Sequence, residues 1–191
     1  MKVNHPFMSI TGGLEGGVLE VLAGTTGTLS LTEIHRRFAA ASKSGIRKSL
    51  MRLVAGGIVD AVPGGYRLNR EHVAAGAIES LASLRGQLFE RISAEVATWT
   101  SKVALVGVFG SVARGEGDEH SDIDVLVVAD DLPEFVTGDL AAKVRRWTGN
   151  ECHVLTLTRR EMEDAKSANE PIVQSWKVDL VVLGGDRAIV D

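Results

Sequence analysis

The stretch Gly110 to Val128, GSVARGEGDEHSDIDVLVV, constrains this chain more than any other. The apolar run Val103 to Phe109 reads as a strand that feeds into Gly110-Ser111. Ten residues later Asp122-Ile123-Asp124 opens a second apolar strand, Ile123 to Ala129. Residues two apart on a strand point to one face, so Asp122 and Asp124 stand side by side. Two such carboxylates repel each other unless a cation sits between them. Hard divalent ions, Mg2+ or Mn2+, take oxygen ligands and leave room for substrate phosphates. A tight Gly-Ser turn on the neighbouring strand offers backbone N–H groups and a hydroxyl to those phosphates. The pattern implies metal-assisted phosphoryl or nucleotidyl transfer from a nucleoside triphosphate. A plain hairpin with an Asp pair capping a surface strand is the alternative. It leaves the same-face pair beside a Gly-Ser turn without purpose.

Gly-Ser, ten residues, then Asp-x-Asp resembles the signature of the polymerase beta-like nucleotidyltransferase superfamily. The nearest likeness is its small, minimal branch, which Ala113-Arg114-Gly115-Glu116 and Ser121 also fit. The likeness covers about twenty residues strictly and the C-terminal half loosely. It implies a small α/β fold in which Asp122 and Asp124 hold the metal and Gly110 and Ser111 hold the phosphates. Arg114 would be a cation near the triphosphate, or else an ion-pair partner of Glu116 or Asp118. The family usually adds a third carboxylate on the strand after the Asp-x-Asp hairpin, to activate the attacking hydroxyl. Glu151, at the edge of ECHVLTLT, is the first candidate; Asp179 in KVDLVVL is the second; the third option is that none exists. His153 stands about where the acid belongs and could act as a base, or be a satisfied structural residue. His120, in the acidic GEGDEH loop, has no partners at ligand spacing.

The 191 residues, 45% hydrophobic, suffice for one ordinary domain or two small ones with packed cores. A net charge of −4 argues against a general nucleic-acid coat. The single cysteine, Cys152, forms no internal disulfide. MKVNHPFMSITGG lacks the apolar core of a signal peptide, and no apolar run approaches a membrane span. These features predict a soluble, cytoplasmic protein; the order of the first dozen residues is left open by the sequence, their glycines pointing against it.

The charge is uneven. Leu31 to Arg70 carries eight Lys/Arg against Glu33 and Asp60, while acids exceed bases by ten in the rest. Two modules with different partners follow. In the first, Leu14 to Gly24 has a helical period, and Ser30 with Glu33 forms a capping box before LTEIHRRFAAA. After a Ser-Lys-Ser break, Ile46, Leu50, Leu53 and Val54 make the apolar face of a helix over about Lys43 to Ala55. IVDAVPGGYRLN then reads as a hairpin turning at Pro63-Gly64-Gly65. Helix, helix, basic helix and hairpin is the order of a winged helix-turn-helix. SGIRKSLMRLVAGGIVDAVPGGYRL resembles the recognition helix and wing of MarR-like and ArsR-like regulators. The resemblance implies that Lys43, Arg47 and Lys48 meet double-stranded DNA in the major groove and Arg67 touches its backbone, in a homodimer. The alternative is a protein-docking module with solvated cations.

Glu71 to Trp99 reads as one long helix, continuous or interrupted, with Gly86 a place where it could bend. Its stripe from Ile78 to Trp99 is core or, alternatively, a dimer seam. Beyond the Asp-x-Asp strand, Leu140 to Trp147 is helical, Glu151 to Thr158 a strand, Arg159 to Ala168 a helix capped by Thr158, and Val178 to Leu183 a strand. The expected fold is therefore α+β in two modules. Residues 1–70 form the winged helix-turn-helix, 71–100 the connecting helix, and 101–191 a small α/β nucleotidyltransferase fold with a mixed sheet.

Two functions follow. The first is an Mg2+-dependent enzyme that moves a nucleoside monophosphate from an NTP to a hydroxyl of a small molecule, protein or RNA. The minimal branch often belongs to toxin–antitoxin pairs, which implies a partner protein. The second is a transcriptional regulator whose degenerate transferase domain senses a nucleotide without turnover. An interaction module without DNA binding is a third, plainer reading.

Overall fold

The computed structural model describes residues 1–191, the side chain of Glu134 excepted. It divides into a unit centred on Asn4–Arg85 and another on Gly86–Asp191. Among the described residues no helix is long and apolar enough to cross a membrane.

In the N-terminal unit, Pro6 at the first helical position starts α1, Pro6–Thr11. The main-chain N–H of Phe7 donates to Glu20 at 2.7 Å, and the His5 ring meets the same carboxylate at 2.8 Å. The first dozen residues are thus an ordered element, contrary to the expectation from their glycines: buried Phe7 and a Glu20 reached from fifteen residues away outweigh glycine entropy. Helix α2 spans Leu14–Ala23. Helix α3, Leu31–Arg37, carries the Ser30/Glu33 capping box. It ends at Phe38 rather than running through the alanines, because Phe38 turns fully into the core. Ser42 caps α4, Lys43–Ala55, through Gly45 N–H at 3.1 Å. Strands β1, Val59–Val62, and β2, Gly65–Leu68, pair antiparallel, and Leu29 bridges to Tyr66. Leu22, Ile34, Phe38, Ile46 and Leu50 form the core.

The stretch expected as one connecting helix is two: α5, Ala75–Ala82, and α6, Leu84–Val96. The break falls at Ser83 and not at Gly86, which lies inside α6. Ser80 and Ser83 hydroxyls donate to the carbonyls of Gly76 and Ser80, the local bonding that competes with a continuing helix. The apolar stripe is accordingly shared: Ile78 belongs to the N-terminal core, and Leu88, Ile92 and Val96 to the C-terminal one.

The C-terminal unit is a four-stranded mixed sheet. Its strands are β3, Val103–Phe109; β4, Ile123–Ala129; β5, Cys152–Leu157; and β6, Val181–Gly185. The spatial order is β5-β4-β3-β6, with β4 and β5 parallel and the other pairs antiparallel. The parallel pair needs a crossover, supplied by α8, Glu134–Thr148. Ile123, Val125 and Val127 pack on one side with Leu140, Val144 and Ile92. Leu126 and Val128 pack on the other with α9, Arg159–Ser167, and α10, Pro171–Asp179. A short helix α7, Gly110–Arg114, follows β3. Helix α10 corrects the reading of Val178 to Leu183 as a strand. Pro171 at the helix start and buried Val173 and Trp176 draw Val178 and Asp179 into its last turn, and the strand begins at Val181.

Candidate functional site

Strand alternation turns Ile123 and Val125 into one core and leaves Asp122 and Asp124 on the opposite face. Both carboxylates come within 3.8 Å of one atom, Nδ1 of His153, which is direct evidence that they converge. His153 is there because β5 lies parallel to β4 in a register that sets it opposite Asp124. At 3.8 Å these are charge contacts and not hydrogen bonds. Burial raises the Asp124 carboxyl above its ordinary range, His153 and Arg114 oppose that, and the Asp122 charge adds to it. The pair is therefore an electrostatic conflict that the sheet imposes.

On the other side of Asp124, β3 delivers Gly110. Phe109 is paired with Asp124, and Gly110 follows at φ +75°, a conformation that L side chains resist. A Cβ on Gly110 would stand 2.6 Å from Asp124 Oδ2, so glycine is needed for shape as well as torsion. Ser111 is the second residue of α7, half-buried beside it. Two carboxylates beside a turn with no side chain in the way are oxygen donors of the kind a divalent ion takes. Among the described residues no group of three or more His, Cys, Asp or Glu is arranged to hold an ion, so other oxygens have to complete the coordination. Phosphates can supply them.

The other candidates are placed elsewhere. Arg114 makes the ion pair that was its alternative reading: Nε donates to Glu116 at 2.9 Å, and Nη1 donates to Asp179, not Asp118, at 2.8 Å. Hydrogen bonding to Asp179, then to Glu116, raises its pKa. Asp179 ends α10 rather than lying on a strand, and its carboxylate, 5% exposed, is engaged with Arg114. Glu151 lies just outside β5 and pairs with Arg145 at 3.1 Å. The strand position beside Asp124 belongs to a histidine. His120 is an exposed residue whose N–H donates to Asp118. Cys152 is buried, and burial with the Asp124 charge pushes its thiol up to about 12, which leaves it neutral and unreactive.

Of the four residues read for DNA, Lys43 donates to Thr32 at 3.0 Å and Arg67 pairs with Asp60 at 3.1 Å. Arg47 and Lys48 are exposed on α4, with no hydrogen-bond or ion-pair partner among the described residues. Sequence reading passed over Asn150, a buried amide at the entry to β5 that reaches the loop before Asp122. A polar residue after the Thr-Gly end of a helix was the available signal.

Residues 90–183 match the family model described as a nucleotidyltransferase domain. No curated protein matches the chain. Among solved structures, a toxin–antitoxin complex with AMP-PNP is 21% identical over 53% of this chain and 77% of that one, with a TM-score of 0.42. A toxin–antitoxin MntA-HepT structure is 22% identical, covering 53% and 74%, at a TM-score of 0.37. A tri-AMPylated Shewanella oneidensis HEPN toxin in complex with MNT antitoxin is 24% identical, with the same coverage and TM-score.

Proposed function

We propose that the chain transfers a nucleoside monophosphate from an NTP to an acceptor hydroxyl, with pyrophosphate as the leaving group, a reading supported by the match of residues 90–183 to the nucleotidyltransferase-domain model. The carrying observation is the convergence of Asp122 and Asp124 on one imidazole nitrogen, with Gly110 against Asp124. Asp122 and Asp124 hold Mg2+ or Mn2+, which neutralises phosphate charge and polarises the α-phosphorus. Gly110 leaves space for phosphate oxygens against the backbone, and Ser111 offers its hydroxyl to them. Arg114 contributes positive potential while tied to Asp179, or reaches the triphosphate by leaving it. Glu151 would have to leave Arg145 to serve as the third carboxylate, and His153 already occupies the neighbouring position. The acceptor we favour is a partner protein of a toxin–antitoxin pair, on the strength of the motif's resemblance to the minimal branch.

The experiment is incubation with α-labelled NTPs, Mg2+ and cell extract. Wild type transfers label, and Asp122→Asn with Asp124→Asn loses it by roughly a thousandfold, as several kcal/mol of charge stabilisation requires. Equal transfer by both proteins sinks the proposal.

The second reading is a nucleotide-sensing regulator, favoured by a histidine where the third acid is expected. It takes the N-terminal unit as a winged helix-turn-helix acting on double-stranded DNA as a homodimer in the cytoplasm. Supporting it are the order α3, α4, β1, β2, the Leu29–Tyr66 bridge, and the unpaired Arg47 and Lys48. Tight nucleotide binding without label transfer, together with salt-sensitive retention of promoter DNA, favours it over the enzyme.

A further inference from the structure

We propose that Asn150 is a positioning residue for the Asp122-Asp124 pair, acting through the loop that precedes it; this rests on the metal–nucleotide reading of that pair. Asn150 is 3% exposed, one of three buried polar side chains among the described residues. The two N–H donors of its Nδ2 are shared among three main-chain carbonyls: Ser121 at 3.0 Å, Asp118 at 3.3 Å and Glu119 at 3.4 Å. A carbonyl oxygen could not face three carbonyls, so the amide orientation follows from its surroundings. The register explains the meeting: Ile123 pairs with Cys152 in the parallel ladder, so the residues before each strand run level. Ile123 N–H donates to Glu151 O at 2.9 Å, one step beyond Asn150.

Asn150 is itself fixed. Thr148 Oγ1 accepts from Asn150 N–H at 3.1 Å and donates to Val144 O at 2.8 Å, and Gly149 turns the chain at φ +79°. The loop it holds has its own turn, in which Asp118 Oδ1 accepts from His120 N–H and from the Ser121 hydroxyl, both at 2.9 Å. That turn is exposed and shapes the loop without anchoring it. The anchor is the buried amide: its Oδ1 accepts from the Met1 amine at 2.7 Å, and the shortest contact of its Nδ2 is to the residue immediately before Asp122. The two carboxylates repel, and Asp122 precedes the first strand residue, so it is the member of the pair free to swing away. A donor gripping Ser121 O opposes that swing. Groups that orient metal ligands in this way typically change affinity by about 10–100-fold when removed.

The test is Asn150→Asp, which keeps the shape and turns donors into acceptors. Mn2+ is titrated by electron paramagnetic resonance in the presence of α,β-methylene-ATP, and amide hydrogen exchange is followed in the metal-free protein. Affinity for Mn2+ is expected to fall about 10–100-fold. Residues 118–122 should exchange faster, while the amides of β4 and β5 keep their wild-type protection. Unchanged affinity, or unchanged exchange in the loop, overturns the inference. If Asn150→Asp does not fold, the wild type answers alone: slow exchange of the Asn150 side-chain amide protons supports the clamp, and solvent-like exchange refutes it. Absence of Mn2+ binding in wild type, indistinguishable from Asp122→Asn with Asp124→Asn, defeats the site reading itself and the inference with it. Normal wild-type binding that Asn150→Asp leaves intact defeats only the clamp.

Discussion

In the C-terminal unit, Asp122 and Asp124 are pressed together by strand register and share one imidazole at 3.8 Å. In the N-terminal unit, three of the eight cations that made the segment basic have found acids: Arg52 pairs with Glu15, Arg67 with Asp60 and Arg70 with Glu79. The difference lies in the side chains. Asp124 is a short side chain fixed on a strand and Asp122 stands just before that strand, so neither can reach far for a counter-charge. A long Lys or Arg bends to whatever carboxylate is near, and such exposed pairs are worth little. Charge density in a sequence therefore overstates an interaction surface made of flexible cations. Repulsion between rigid carboxylates is the more dependable sign of a site. In the N-terminal unit that logic leaves Arg36 and Arg37 at the end of α3 and Arg47 and Lys48 on α4, of which the last two are the pair on the helix read for DNA.

The sharpest way to break the comparison is Gly110→Ala. The added Cβ meets Asp124 Oδ2 at 2.6 Å in a left-handed backbone conformation, so the carboxylate or the turn must shift. Displacements of that size cost about 100-fold in rate. Label transfer should fall by that factor while circular dichroism reports an intact fold, and transfer at the wild-type rate would show that the geometry is not a site. Next in size is Arg47→Ala with Lys48→Ala. If these cations meet phosphates, the log–log salt slope of duplex DNA binding falls by about two. Lys43→Ala with Arg67→Ala should change it less, because both side chains are already engaged. Equal effects from the two pairs would mean a merely solvated surface.

The smallest effects test what the units share. Ser30→Ala in α3 and Thr158→Ala in α9 each remove a capping box, and each should cost about 1 kcal/mol in urea unfolding. Glu33 and Glu161, the partners in those boxes, are held below their ordinary 4.5 mainly by hydrogen bonds from Ser30 and Thr158. Their contribution is full above the ordinary glutamate range and is lost as pH falls through the lowered values. Protection of the first-turn amides of α3 and α9, taken relative to their intrinsic exchange rates, should fall together as the pH drops below 4.5. If one unit responds and the other does not, local helix chemistry differs between them as well as charge.

Local chemistry was the legible part of this chain. The Ser30/Glu33 capping box, the Thr158 cap, the span of α4 and the strands flanking Gly110 and Asp122 follow from patterns a few residues wide. Two misreadings share one cause, a helix-start signal passed over. Pro6 and Pro171 each open a helix, and missing Pro171 moved Asp179 from a helix end to a strand. The break at Ser83 was hidden because serine hydroxyls bonding back to the main chain look like ordinary helix residues in a sequence. Asn150 was illegible for a different reason. Its partners lie 29 to 32 residues away and are backbone carbonyls, which have no letter in the sequence. The same holds for Arg114 and Asp179, 65 residues apart.

Phe109, the residue that caps the Gly-Ser turn, meets the Trp176 ring edge-on at a centroid distance of 5.8 Å. Trp176 is 1% exposed and its indole N–H has no partner among the described residues, whereas Trp99 and Trp147 are half-buried. The consequence is optical. A dry, unpartnered indole emits at short wavelength, so excitation at the red edge separates the other two tryptophans from it. A motion of the turn that displaces Phe109 would change the surroundings of this buried indole, so the ligand proposed to bind at Gly110 would be followed in the unlabelled protein by its own emission.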